Sequence, residues 1–280
     1  MKIRLILCFF LALFTTTSLL ADQDMAKRDD VQAFIAHMEK DYDFSKAELE
    51  KLFTAVEARP QVIKSMKHPL EPNPWGHYRS LFITQKKIND GVAFWNKYKD
   101  ALAKAGKQFQ MDPSVIVATI GVESNYGSNV GKFRVIDALS DISFNYPARS
   151  KFFTYELEQY LLMTRENNLD PLEVKGSYAG AIGMPQFMPD SFRNYAVDFS
   201  GKHHIDLTNN TVDVIGSIAN YYHKKGWKEG HTIAAPAEKK TAKKDSEKVI
   251  PNNIHDFYND QTLNEAGYSS EASMPQGETK

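Results

Sequence analysis

Cysteine is almost missing from this 280-residue chain: there is one, Cys8, and it lies within the first 21 residues. Once that leader is removed, no thiolate nucleophile, thiolate metal site or disulfide framework remains. A dominant charge sign is missing as well. With 34 Lys and Arg against 35 Asp and Glu the formal charge is −1, so no basic field recruits nucleic acid. The chain has no internal repeat and no strong series of alternating strands, and none of its glycine-rich segments ends in the Lys-Ser/Thr that cradles phosphate. The apolar run of the leader falls short of the ~20 residues that span a bilayer.

What is present describes a globular protein. Hydrophobic residues make up 42% and aromatics 12%, enough for a sizeable core in one or two domains. Residues 1–21, "MKIRLILCFFLALFTTTSLLA", have the order of a secretory signal: Lys2 and Arg4, an apolar run, then small or polar residues ending at Ala21. This predicts an exported, periplasmic protein, soluble after cleavage, with Asp22 as its first residue; the rival reading is an uncleaved anchor. Cleavage removes two cations and no acid, so −1 becomes −3. Cys8 in "LILC" lies too early, with apolar residues after it, to serve as a lipid acceptor.

Residues 22–110 read as a helical N-terminal region. Val31, Phe34, Ile35 and Met38 form one helical stripe, and Ile88, Val92, Trp95, Tyr98 and Leu102 a second. Ser45 and Glu48 have capping-box spacing, and Phe44 and Leu49 staple spacing, which predicts a helix that starts at Ser45 and ends before Pro60. Residues 111–230 carry the remaining strong signals: Asp112 and Pro113 open a helix, Val135 to Met163 is helical, and an amphipathic helix runs from Asp213 to Gly226. Residues 231–280, with "APAEKKTAKKDSEK", read as a polar linker and disordered tail.

The chemistry gathers at "IVATIGVESNYGSNVG". Ile116, Ile120 and Glu123 recur at intervals of four and three, so the carboxylate is expected on the inward face. A helix C-terminus and apolar neighbours both disfavour ionisation, which would make Glu123 a proton donor of the kind a glycosidic oxygen needs. The residues alone leave open a plain solvated helix end. In "GSYAGAIGMPQFMP", Gly176, Gly180 and Gly183 permit close approach beside Ser177, Tyr178 and Gln186; tight helix packing is the other reading.

Together with "VIDALSDISFNYPARSKFF" and "YAVDFSG", these motifs resemble, in order and between about Trp75 and Trp227, the lytic murein transglycosylases of the MltB type, also called family 3. The resemblance implies a mainly α, lysozyme-like (α+β) catalytic core with a saccharide groove. It implies Glu123 as the catalytic residue and groove contacts at Tyr78, Arg149, Ser177, Gln186 and Tyr221. It further implies cleavage of the β-1,4 bond between N-acetylmuramic acid and N-acetylglucosamine of peptidoglycan, leaving 1,6-anhydromuramoyl ends. Its partners would be glycan strands and, for recruitment, cell-wall biosynthesis proteins; no cofactor is required. Chain-end versus internal cleavage and oligomeric state stay open.

The sequence departs from the family in three places. Ala148 stands where the first of two arginines is usual, leaving Arg149 alone. The segment 198–213 resembles the family's calcium loop, with Asp198, Ser200, the His204 carbonyl, Asp206 and Asp213 as implied ligands. Lys202, however, occupies an acidic ligand's place, His203 a turn glycine's, and the loop is one residue longer, all of which oppose calcium. Adjacent His203 and His204 diverge and do not make a zinc site. Finally, the sequence after Trp227 is polar where the family continues into a helical segment, as a truncated relative or a fragment would be. The altered residues leave a catalytically silent peptidoglycan-binding protein as the alternative function, and a hydrolytic muramidase as a third.

Overall fold

The computed structural model describes residues 24–67, 75–230, 237–239 and 268–270, with backbone alone at Trp75, Tyr78 and the last two segments. The leader and its expected cleavage point lie outside the described residues. After a 3-10 turn at Met25–Lys27, α1 (Asp29–Tyr42) buries the predicted stripe of Val31, Phe34, Ile35 and Met38. Ser45 opens α2 (Lys46–Thr54) by accepting the Glu48 N–H at 3.3 Å. The helix ends at Thr54, before Pro60 as expected, and Pro60 begins α3 (Pro60–Lys67). The reason is tertiary: the N–H groups of Glu57 and Arg59 go to the buried carboxylates of Asp137 and Asp141, so they are not available to a continuing helix.

Beyond α4 (Trp75–Phe82), the long α5 (Gln85–Phe109) corrects the second stripe. Gly91, Phe94, Leu102, Ala105 and Phe109 are buried, whereas Ile88, Val92 and Trp95 are exposed. Two constraints set this face. A Cβ at residue 91 would lie 2.6 Å from the Tyr126 hydroxyl, so Gly91 is the point of closest approach. Tyr98, at φ −114° and ψ 21°, interrupts the helix, and no single stripe runs through both halves.

The rest of the chain builds the core around α6 (Pro113–Ser124), opened by Asp112 accepting the Ser114 N–H at 2.8 Å. The helical region expected from Val135 to Met163 is two helices, α7 (Val135–Asn145) and α8 (Ser150–Glu166), parted by a 3-10 turn at Pro147–Arg149 because proline cannot continue a helix. Next come α9 (Pro189–Tyr195) and α10 (Thr211–Lys224), the latter capped by Asn210 and so starting before the expected Asp213. Strand β1 (Phe133–Arg134) pairs antiparallel with β2 (Lys175–Gly176), and single bridges link Gly176 to Ile182 and Ile182 to Phe187. The fold is thus mainly helical with a narrow β fringe. One hydrophobic cluster runs from Met25 to Ala219, continuous across residue 110. No helix among the described residues is long and apolar enough to cross a membrane. In the segment read as a disordered tail, β3 (Ala237–Lys239) pairs antiparallel with β4 (Tyr268–Ser270). Backbone pairing needs no apolar run, so composition concealed it.

Asp137, fully buried, is the main polar joint between the N-terminal helices and the core. It accepts from Arg134 Nη2 at 2.7 Å, Arg59 Nε at 3.0 Å and the Glu57 N–H at 3.1 Å. Asp137→Ala leaves two part-buried guanidinium groups and an N–H without their acceptor. Urea unfolding should show a loss of about 3 kcal/mol; a loss below about 1 kcal/mol would mean that the joint contributes little.

Candidate active site

The end of α6 is pinned by a tyrosine. Asn125 and Tyr126 both adopt left-handed backbone angles, φ 50° and 58°, which stops the helix and turns the Tyr126 ring back onto it. The Tyr126 hydroxyl donates to the Lys87 carbonyl at 3.1 Å, and it stands 2.6 Å from where a Cβ at Gly121 would be. Ile116 and Ile120 are fully buried beneath, and Ser124 is buried too. Glu123 is not: the expectation of an inward side chain is corrected, because the last turn stands at the rim where the core ends. The residue is exposed, beside the buried Ile120 and Ser124. Burial by the surrounding protein raises its pKa above the ordinary 4.5, and no charge or hydrogen bond among the described residues offsets the effect.

The loop after Glu123 lies backbone to backbone with the glycine-rich motif. At Gly131, with φ +88°, a Cβ would fall 2.0 Å from the Gly176 carbonyl carbon and oxygen, so no other residue permits this approach. Above it, Gln186 donates its side-chain N–H groups to Gly183 O at 2.7 Å and Val130 O at 3.4 Å. Ser177 Oγ accepts from the N–H groups of Ala179 (3.2 Å) and Ala181 (3.1 Å) and so holds the turn that carries it. The Tyr221 ring packs 5.6 Å from Phe187 and 5.0 Å from Tyr195. Ser177, Gln186 and, through Phe187, Tyr221 thus belong to one wall that borders the loop after Glu123.

The remaining expected groove residues are Arg149 and Tyr78. Arg149 is exposed on the 3-10 turn, with its guanidinium over the rings of Phe152 (4.8 Å) and Phe153 (5.2 Å), contacts within its own chain segment. The Tyr78 side chain lies outside the described residues. Sequence reasoning missed Tyr126 and Met184. The glycine pair Gly91 and Gly121, which makes room for the Tyr126 hydroxyl, could have disclosed the first. Nothing in the sequence marks Met184, whose side chain packs against Gly127 and accepts weakly from Thr211.

The segment 198–213 does not fit a calcium cage. Its carboxylates turn to the loop's own N–H groups: Asp198 accepts from Lys202 (2.9 Å) and His203 (2.7 Å), and Asp206 from Thr208 and Asn209 (both 2.8 Å). Asp213, fully buried, accepts from Ser200 N–H at 2.9 Å, Asp206 N–H at 3.2 Å and Asn210 at 2.8 Å. Ser200 Oγ donates to Asp198, and the His204 ring faces the Lys202 carbonyl at 3.1 Å. Among the described residues no three His, Cys, Asp or Glu side chains gather as metal ligands.

The chain matches the transglycosylase SLT domain over residues 26–279, well beyond the Trp75 to Trp227 span of the motifs. It is 43% identical over 224 residues to membrane-bound lytic murein transglycosylase B of Escherichia coli, a match that covers 76% of this chain and 62% of that protein's length. Its fold superposes on catenated lytic transglycosylase SltB1 from Pseudomonas aeruginosa with a TM-score of 0.82 at 38% identity, covering 90% of this chain and 82% of that one. The Escherichia coli lytic transglycosylase SLT35, solved in complex with calcium, gives 0.77 at 39% identity, with 90% and 78% covered.

Because the loop closes on its own N–H groups with Lys202 in it, millimolar calcium should raise the thermal midpoint by less than about 1 °C. Lys202→Asp, which adds ligand charge, should restore a measurable calcium response. A large calcium-dependent shift in the unaltered protein would contradict this account of the loop.

Proposed function

The chain belongs to the MltB-type lytic transglycosylases of the SLT domain family, and on that premise we propose that it cleaves the β-1,4 bond between N-acetylmuramic acid and N-acetylglucosamine in peptidoglycan, with Glu123 as its single acid and base. The observation that carries the reading is the desolvated, unpartnered carboxyl of Glu123 beside a glycine-rich wall. A carboxyl that keeps its proton above the ordinary range can give it to the glycosidic oxygen as the bond to the sugar's anomeric carbon breaks. The carboxylate so formed then removes the proton of the muramoyl 6-hydroxyl. That oxygen attacks the anomeric carbon, closes the 1,6-anhydro ring and returns Glu123 to its starting state without consuming water.

A hydrolytic muramidase would place a second carboxylate close to the first, and two like charges at such range raise each other's pKa. Among the described residues burial raises the Glu123 pKa and no neighbouring carboxylate contributes, which favours the one-carboxylate route. Ser177, Gln186 and Tyr221 line the groove in this reading, with hydroxyl and amide groups suited to acetamido and hydroxyl partners and a ring suited to a sugar face. Arg149 and Tyr78 are the further glycan contacts of this reading. All of these except Tyr78 fall within 111–230, which we take as the catalytic unit, with 22–110 as supporting helices. The protein acts outside the cytoplasm after cleavage at Ala21, on glycan strands and without a metal.

Mass analysis of digested sacculi tests this reading. The unaltered protein should release muropeptides with 1,6-anhydro ends, and a folded Glu123→Gln variant should lose at least about 100-fold in rate. Since the donor must start protonated, the rate should fall as pH rises through the raised pKa of Glu123. New reducing ends would point to hydrolysis, and no new muropeptides at all would point to the silent binding protein.

A further inference from the structure

One buried carboxyl that the proposed chemistry does not use borders the glycine-rich wall through α9. Glu156 on α8 is 3% exposed, and its Oε2 accepts the N–H of Asp190 at 3.0 Å, in the first turn of α9. That turn follows directly on Gln186, Phe187 and Met188, the closing residues of the glycine-rich motif. Phe187 is tied to Ile182 by two backbone bonds, 2.8 Å and 3.1 Å, and Gln186 holds a left-handed φ of 50°. A carboxyl that fixes the start of α9 therefore fixes where the chain leaves the Gln186 turn.

We propose that Glu156 is a positioning residue for the groove: by holding α9 in place it sets the Gln186 turn, and its grip changes when the carboxyl gains or loses its proton. This rests on the reading that Gln186 contacts glycan. The charge environment makes the two states unequal. Facing Glu156 from α9 is the like charge of Asp190, itself bonded by Tyr155 and Asn194. Arg193, the nearest cation on α9, is committed to Glu166 and Gln159. On α8 itself Glu158 is taken up by Tyr42 and His37 of α1, and on α7 Asp137 and Asp141 are taken up by Arg134, Arg59 and Asn145.

No cation is thus bonded to a Glu156 carboxylate among the described residues. Burial, the largest influence, and Asp190 favour the protonated form, while the Asp190 N–H favours the charged one; burial wins, and the carboxyl is pushed up to about 7. The sign follows. A folded-state pKa above the unfolded value means that stability from this group is present at low pH and declines as pH rises through about 7. The segment that feels this is the start of α9 and the turn before it.

Amide hydrogen exchange over residues 182–191, across the pH range that brackets about 7, is the test. After correction for intrinsic exchange, protection in the unaltered protein should fall several-fold with rising pH. In Glu156→Gln, whose amide oxygen can still accept the Asp190 N–H, protection should be independent of pH. Asp190→Asn, which removes the like charge, should move the midpoint to lower pH. Binding of a muramoyl-glucosaminyl fragment, measured on a Glu123→Gln background to prevent turnover, should weaken along the same pH curve and lose that dependence when Glu156→Gln is added. The same pH slope of exchange in both proteins would overturn the proposal. Fragment binding that fails at every pH would overturn the groove reading and, with it, the link to glycan, while the exchange data still decide what Glu156 does to the turn.

Discussion

The site rests on one close approach. Gly131 lies so near the backbone of Gly176 and Ser177 that even a methyl group would sit 2.0 Å from a carbonyl. This contact lets two segments far apart in sequence, the turn after Glu123 and the glycine-rich loop, share a wall with no side chain between them. The other features of the wall lean on it: the β1 and β2 pairing, the bridges to Ile182 and Phe187, and the bond from Gln186 to Val130. On the far side α6 cannot shift, because Tyr126 fills the space left by Gly91 and Gly121.

Within this frame the chain treats its carboxylates unequally. Asp137 and Asp213, both fully buried, are surrounded by donors: guanidinium groups for the first, N–H groups and an asparagine amide for the second. A buried carboxylate without such partners would be costly, and these two have them. Glu123 stands exposed at the rim, with its pKa raised by the protein near it and no donor among the described residues. The buried carboxylates are held by donors, whereas Glu123 is open to a substrate with its pKa raised, a pattern expected where proton transfer matters.

Local chemistry in the sequence was legible where one residue type has one job. Ser45 and Asp112 announce helix starts through side chains that cap, and Val31, Phe34, Ile35 and Met38 mark a face that needs no other information. Glu123, Ser177, Gln186 and Tyr221 are proposed from motif resemblance, and the residues alone leave Glu123 undecided. What was not legible depended on partners distant in sequence. The inward face of α5 is chosen by a tyrosine beyond the next helix, and α2 stops where it does because carboxylates on α7 take the N–H groups that follow. The tail strands lack an apolar signal, and the turning of Asp198 and Asp213 toward backbone groups appears only once the loop is folded.

The central claim, that protein packing around Glu123 makes it the proton donor, can be read directly from its titration. Carboxyl-carbon NMR of protein labelled at glutamate, with Glu123→Gln used to assign the signal, gives the pKa of this one group. The account predicts a value above the ordinary 4.5, in the free protein and without added metal. A Glu123 carboxyl that titrates at or below the ordinary value would contradict it.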